Sequence, residues 1–177
     1  MRTVHVITTG GTIEKIYSET KGSVENLDNK VDRYLNRLRL PDTHVDIVHL
    51  MNKDSLEMSD ADRQFICAAV QAKLSTRSPI VITHGTDTMV ETGLYLKREI
   101  ANPEVPIVLT GSMTPLGFEE SDALQNLTEA LFATRLLEPG VWIVMHNQVF
   151  PIDGVRKDRE LARFVPLTIA SNPAANS

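Results

Sequence analysis

The chain has 177 residues, 42% of them hydrophobic and 23% charged, with a formal net charge of −5 and a single cysteine, Cys67. Those values describe one soluble globular domain large enough for a substantial core. They exclude an internal disulfide, which fits a reducing compartment such as the cytoplasm. The acidic balance argues against nucleic acid as a partner, no apolar run approaches the ~20 residues of a membrane span, and the amino terminus shows no signal-peptide pattern.

In chain order, apolar runs alternate with helical periodicity. Val4–Thr8 is a strand. Gly10 to about Asn26 is a long polar connection, and loops of that length in compact domains are usually functional or mobile. Val31, Tyr34, Leu35 and Leu38 recur at helical spacing and predict a helix over about Leu27–Leu38. Val45–Leu50 is a second strand. Ser59 with Asp62 three residues on is close to a capping box. It opens a helix whose apolar face holds Phe65, Ile66, Ala69, Val70 and Leu74. Ile80–Thr83 is a strand, and a helix follows from about Thr88 to Ile100, broken by Asn102-Pro103. Ile107–Leu109 is a strand. Ser121 or Asp122 caps a helix to about Leu136, and Val141–Met145 is the fifth strand. Ile152-Asp153-Gly154 reads as a turn into the charged run Arg156-Lys157-Asp158-Arg159-Glu160.

This alternation predicts an α/β fold: a single-domain, doubly wound, mostly parallel sheet with flanking helices, flavodoxin- or Rossmann-like. Residues 1–169 make up the domain and 170–177 a small, polar tail that frays.

Two threonines sit in glycine-marked turns after apolar strands. Thr12 lies in Thr8-Thr9-Gly10-Gly11-Thr12-Ile13-Glu14, and Thr86 in His84-Gly85-Thr86-Asp87-Thr88-Met89-Val90-Glu91-Thr92. In a parallel α/β sheet both turns fall at the carboxyl ends of strands, where such folds place ligands. Hydroxyls, a carboxylate and backbone N–H groups then converge on one crevice, which suits attack on an amide or ester carbonyl. By residue type alone the first turn is only a chain reversal permitted by Gly10 and Gly11. Asp87 alone is a helix N-cap or a first-turn acid of the following helix.

The two segments resemble the signatures of the bacterial-type L-asparaginase/glutaminase family of threonine amidohydrolases. The likeness continues weakly through Ser55, Leu109-Thr110-Gly111-Ser112-Met113, and Ser121-Asp122-Ala123 to Asn126-Leu127. It spans most of the chain but only the amino-terminal domain of the long-chain members, so the chain looks like a short form. The resemblance implies that Thr12 is the nucleophile and that Tyr17, from the loop behind it, shares in proton transfer. It implies that Thr86 orients water or the attacking group and that Lys157 polarises it. Asp87 would hold the substrate's α-ammonium, Ser55 would receive its α-carboxylate, and Gly11 would line the binding site. The lysine follows Asp153-Gly154 at a shorter spacing than in long-chain members, so Arg156 is the alternative cation. The residue after the family serine is usually a glutamine that touches the α-amino group. Here it is Leu56, which cannot, and weaker head-group binding follows.

Other signals are bland. The five histidines and one cysteine have no metal-ligand spacing, and no nucleotide-phosphate loop is present. His84 reads as a turn histidine satisfied by backbone, Glu119-Glu120 as solvent-facing, and the methionines as core filler. The expected function is hydrolysis of the L-asparagine side-chain amide through an acyl-enzyme, with no metal or organic cofactor, in a homodimer or homotetramer. A broader amidase or glutaminase, and a non-catalytic amino-acid-binding module, are the rivals.

Overall fold

The structure, a computed structural model, describes residues 1–18, 23–26, 30–116 and 118–167; for 16–18, 23–26 and 30 it describes the backbone. The expected tail, residues 170–177, lies outside the described residues. In chain order the elements are β1 Arg2–Gly10, a 3-10 turn Thr12–Glu14, β2 Lys15–Ser18, β3 Ser23–Asn26, α1 Lys30–Leu35, β4 Thr43–Lys53 and a 3-10 turn Ser55–Glu57. There follow α2 Asp60–Leu74, β5 Ile80–Thr83, α3 Met89–Glu99, β6 Pro106–Thr110, α4 Ala123–Ala133, β7 Gly140–Met145, β8 Gln148–Pro151, β9 Val155–Asp158 and β10 Arg163–Pro166.

The main sheet has the order β4-β1-β5-β6-β7-β8. The first five strands are parallel and β8 is antiparallel to β7. Alternation along the strands divides the core by side-chain type. Ile7, Ile82, Leu109 and Ile143 face one side with Ile66 and Val70 of α2 and Leu96 of α3. Val4, Val6, Val81, Val108 and Val144 face the other, with Val31 and Leu35 of α1 and Leu127 and Leu131 of α4. Successive residues of a strand point to opposite faces, and a parallel sheet covered on both faces needs strands apolar throughout. That is why Val4–Gly10 are all buried in β1. The expected doubly wound, mostly parallel sheet is what the chain forms.

The five expected strands are present, each equal to or longer than expected. The capping box of α2 is made, since Ser59 accepts from the Asp62 amide while Asp62 accepts from the Ser59 amide. The face of α2 differs in one place. Its buried stripe is Arg63, Ile66, Cys67 and Val70, and Phe65 is exposed. Positions i, i+3, i+4 and i+7 share a helix face, and Phe65 is off that stripe. Arg63 takes the buried place because its guanidinium finds the Met58 carbonyl, Asp60 and Glu91.

Three further differences concern short elements. The connection after β1 is not irregular throughout: β2 and β3 pair as antiparallel strands within it. α1 runs over Lys30–Leu35, shorter than expected, with 27–29 outside the described residues. The charged run after Gly154 is a strand, β9, which pairs with β10. Phe164 anchors this ribbon, since it is 1% exposed and packs in the core against the α2 and α3 face. Its register partner is Lys157, so the two side chains leave the ribbon on the same face. Among the described residues no helix is long and apolar enough to cross a membrane.

Phe164→Ala should therefore do more than leave a cavity. It should lower stability by about 3–5 kcal/mol, the usual range for a buried aromatic, and release the ribbon that carries Lys157. Urea unfolding measures the first effect and amide exchange in β9 the second.

Candidate active site

The sequence order of strands reverses between β1 and β5. β1 leads outward to β4 on one side, and β5 leads to β6 and β7 on the other. At such a switch point adjacent crossovers leave by opposite faces and open a crevice beyond the carboxyl ends of the strands. Thr12 follows β1 and Thr86 follows β5, so both expected turns border this crevice.

What draws them together is the absence of side chains. Gly10 and Gly11 have φ of 93° and 83°, a region L-residues rarely enter. A Cβ on Gly10 would overlap the backbone of Lys53, and one on Gly11 would overlap the backbone of Gly85. A Cβ on Gly85 would overlap the side chain of Ser55. Three turns, after β1, β4 and β5, thus stack backbone on backbone. The Gly11 N–H donates to the Lys53 carbonyl at 3.0 Å, so Gly11 contributes closeness rather than a free donor. Thr88 Oγ1 closes the stack by donating to the Ser55 carbonyl at 2.8 Å.

On the other side of Thr86, Lys157 Nζ donates to Thr86 Oγ1 at 2.7 Å and to Asp87 Oδ1 at 3.0 Å. The Thr86 hydroxyl itself points at Met113 Sδ, 3.6 Å away, a weak acceptor, so its proton is easily redirected. Arg159 Nη2 also reaches Asp87 Oδ1, at 3.2 Å. Arg156 instead pairs with Asp158. Asp87 does not cap α3: the residue at that cap is Thr88, which makes no side-chain cap bond.

The remaining expected residues divide. Ser55 is buried under Gly85, while Leu56 beside it is exposed. The Tyr17 backbone lies in β2 opposite Val24, and its side chain lies outside what is described. His84 is wholly buried; its Nδ1–H donates to the Gly85 carbonyl at 2.7 Å and its Nε2 accepts from Thr92 at 2.9 Å. Burial, only partly offset by the Gly85 carbonyl, lowers its pKa to about 4, so it stays neutral and orients one peptide. Among the described residues no group of three or more His, Cys, Asp or Glu could hold a metal ion.

Two supporting roles escaped the sequence reading, which took Asp122 only as a helix cap and gave Glu14 none. Asp122 accepts from the amides of Met113 and Thr114, from Asn126 Nδ2 and from His146 Nε2. Burial works against its charge, but these donors outweigh it and hold its pKa below the usual value. The loop that sets Met113 against Thr86 is pinned as a result. Glu14, two residues past Thr12, is 1% exposed with Oε1 unpartnered among the described residues. Burial raises its pKa to about 7 despite help from the Thr8 hydroxyl and the Gly10 backbone. Next to it, Thr8 Oγ1 lies 3.2 Å from His49 Nδ1, and His49 Nε2 lies 2.9 Å from Asp32 Oδ2. An acidic side chain directly after an apolar residue in a glycine turn was the available signal. Only the fold shows that it turns inward.

Other constellations lie away from the crevice. Thr76, His5 and Asp46 form a chain of 2.8 Å and 2.7 Å contacts, but near the start of β5, and the Thr76 hydroxyl donates to the Lys73 carbonyl. A hollow of about 560 Å³ lined by Lys97, Ile100, Trp142 and Asp153 adjoins the start of β7 and gathers no nucleophile.

A doubly wound α/β domain with a threonine-lined crevice at its switch point is what the family model described as Asparaginase, N-terminal matches, over residues 3–163. The chain belongs to that family. It is 33% identical over 144 residues to the L-asparaginase of Thermococcus kodakarensis, covering 81% of this chain and 44% of the relative. It is 32% identical over 137 residues to L-asparaginase 1 of Escherichia coli strain K12, covering 74% and 40%. Among solved structures, the thermostable L-asparaginase from Thermococcus kodakarensis has a TM-score of 0.85 at 32% identity, over 93% of this chain and 51% of that one. The chain spans about half the length of the relatives it matches.

The Glu14 shift has a definite sign. Its pKa rises from 4.5 to about 7 on folding, so between those values the native state holds a proton that the unfolded chain has lost. Stability contributed by this group is complete below about pH 4.5, falls as pH rises, and levels off above about 7. The loss is on the order of 3 kcal/mol. Urea unfolding of wild type and Glu14→Gln between about pH 5 and pH 8 should show the variant gaining on wild type by that amount.

Proposed function

We propose that this chain hydrolyses the side-chain amide of L-asparagine to aspartate and ammonia. The observation that carries this reading is the Lys157–Thr86 hydrogen bond of 2.7 Å, set across the Gly11–Gly85 contact from Thr12. It supplies a polarised hydroxyl next to a second hydroxyl in a crevice at the switch point. Family membership supports it, and so do the matched relatives, which are named L-asparaginases.

In the proposed reaction the Thr12 hydroxyl oxygen attacks the amide carbon and loses its proton, with Tyr17 as the proposed partner in that transfer. The amide oxygen becomes an oxyanion. His84 holds the Gly85 carbonyl toward itself, and in a trans peptide the following N–H points the opposite way. The Thr86 N–H is therefore our candidate oxyanion donor. The C–N bond breaks, the nitrogen takes a proton and leaves as ammonia, and an ester to Thr12 remains. Water then adds to the ester carbon and releases aspartate. Lys157, donating to Thr86 Oγ1, frees the Thr86 proton for the reacting groups and stabilises negative charge on that oxygen. Ser55 receives the substrate's α-carboxylate and Asp87 its α-ammonium in this reading. The reaction so written uses no metal or cofactor.

Ammonia release from L-asparagine by the purified protein tests the proposal. Thr12→Ala should lower kcat by several orders of magnitude with the fold retained, and Lys157→Met should lower kcat far more than Arg156→Met. Near-normal turnover by Thr12→Ala would falsify the mechanism. A variant set that binds aspartate without turnover would instead favour a binding module.

We also propose a cytoplasmic homodimer or dimer of dimers. The support is physical: a crevice at the sheet's carboxyl edge gains electrostatic strength when water is excluded, and two-fold closure is the commonest way for one chain to cover another. Light scattering at micromolar concentration should show at least a dimer; a fully active monomer would refute this.

A further inference from the structure

Two cations converge on a single oxygen of the proposed ammonium ligand. Lys157 Nζ lies 3.0 Å and Arg159 Nη2 3.2 Å from Asp87 Oδ1. Lys157 is the fixed one of the pair: it is largely buried, its strand is anchored by Phe164, and it also holds Thr86. Arg159 reaches in from the turn just after β9 with a side chain 70% exposed. It belongs to the rim and is displaceable.

One carboxylate against two cations leaves this corner net positive. The neighbouring head-group turn does not offset it. Asp54, beside Ser55, is already paired with Lys15 at 2.6 Å, and Leu56 carries no acceptor. An incoming ammonium must therefore displace the Arg159 guanidinium from Asp87, or bind beside it against like-charge repulsion. A head group bearing a carboxylate and no ammonium meets neither obstacle, and its charge is opposite to that of the corner.

We propose that Arg159 is a specificity-determining residue that competes with the substrate's α-ammonium for Asp87, so that the site takes ω-amides of dicarboxylates lacking a free ammonium about as readily as asparagine. This rests on the reading of Asp87 as the ammonium ligand. An exposed ion pair shifts an equilibrium by only about 1.5- to 5-fold, so the effect expected is several-fold and sits in binding rather than in the chemical step.

Succinamate, which is asparagine without its amino group, is the probe. Calorimetry on the Thr12→Ala protein should give Kd values for asparagine and succinamate within about threefold of each other. Adding Arg159→Gln should tighten asparagine binding about three- to fivefold and leave succinamate unchanged or weaker. Arg156→Gln removes the same charge from a residue paired with Asp158, and it should change neither. With Thr12 intact, Arg159→Gln should lower KM for asparagine while kcat stays within twofold. The inference is overturned if Arg159→Gln leaves the ratio of the two Kd values unmoved, if Arg156→Gln moves it equally, or if neither compound binds. The failures are separable: binding that follows this pattern without ammonia release from either compound would remove the hydrolase reading and keep the Arg159 competition with the ammonium.

Discussion

Everything proposed for this site depends on a steric constraint, the contact of three backbones at Gly10, Gly11 and Gly85. The turns after β1, β4 and β5 approach so closely that a single added Cβ at any of the three glycines would meet backbone or the Ser55 side chain. At Gly10 and Gly11 the backbone also adopts positive φ, so space and conformation make the same demand. The sheet supplies the location, because crossovers leaving by opposite faces part at β1 and β5. The glycines then bring the turns that carry Thr12 and Thr86 into contact across that gap.

The polar groups around this contact show two ways of holding a buried carboxyl. Asp122 keeps its charge because two amides, an asparagine and a histidine donate to it, and hydrogen bonds to a carboxylate favour its ionised form. Glu14 has fewer donors and, among the described residues, an unpartnered oxygen, so desolvation wins and raises its pKa to about 7. One stiffens the loop behind Thr86 as an anion. The other lies buried two residues past Thr12, beside Thr8 and the Gly10 backbone. Both sides of the crevice thus rest on carboxyl groups whose environments have driven their pKa values apart.

The framework of the site and its head-group end are held in different ways. Strand order, the glycine stack and the Thr86–Asp87–Lys157 cluster are fixed by the sheet and by close contacts of its turns. Leu56 and Arg159 are exposed at the rim, and in the proposed reading both act in the same direction, reducing what the site offers a free ammonium. In that reading substrate handling is set by two side chains at the rim, while the proposed chemistry rests on groups held by the sheet and its turns.

The sequence alone determined the parallel strands, their alternation with helices, the capping box of α2 and the two threonine turns. Each of these is local: an apolar run, a 3.6-residue period, a serine three residues before an aspartate, a glycine that permits positive φ. It favoured Lys157 and kept Arg156 as the alternative cation, because choosing between adjacent cations requires knowing which way a strand faces. In the structure Lys157, the register partner of the buried Phe164, is the one that reaches Thr86 and Asp87, on a ribbon too short and too charged to read as strand. The exposure of Phe65, the inward turn of Glu14 and the meeting of Arg159 with Asp87 are likewise tertiary facts. Each depends on residues far apart in the chain competing for the same buried volume or the same charge, and no local pattern records the outcome of that competition.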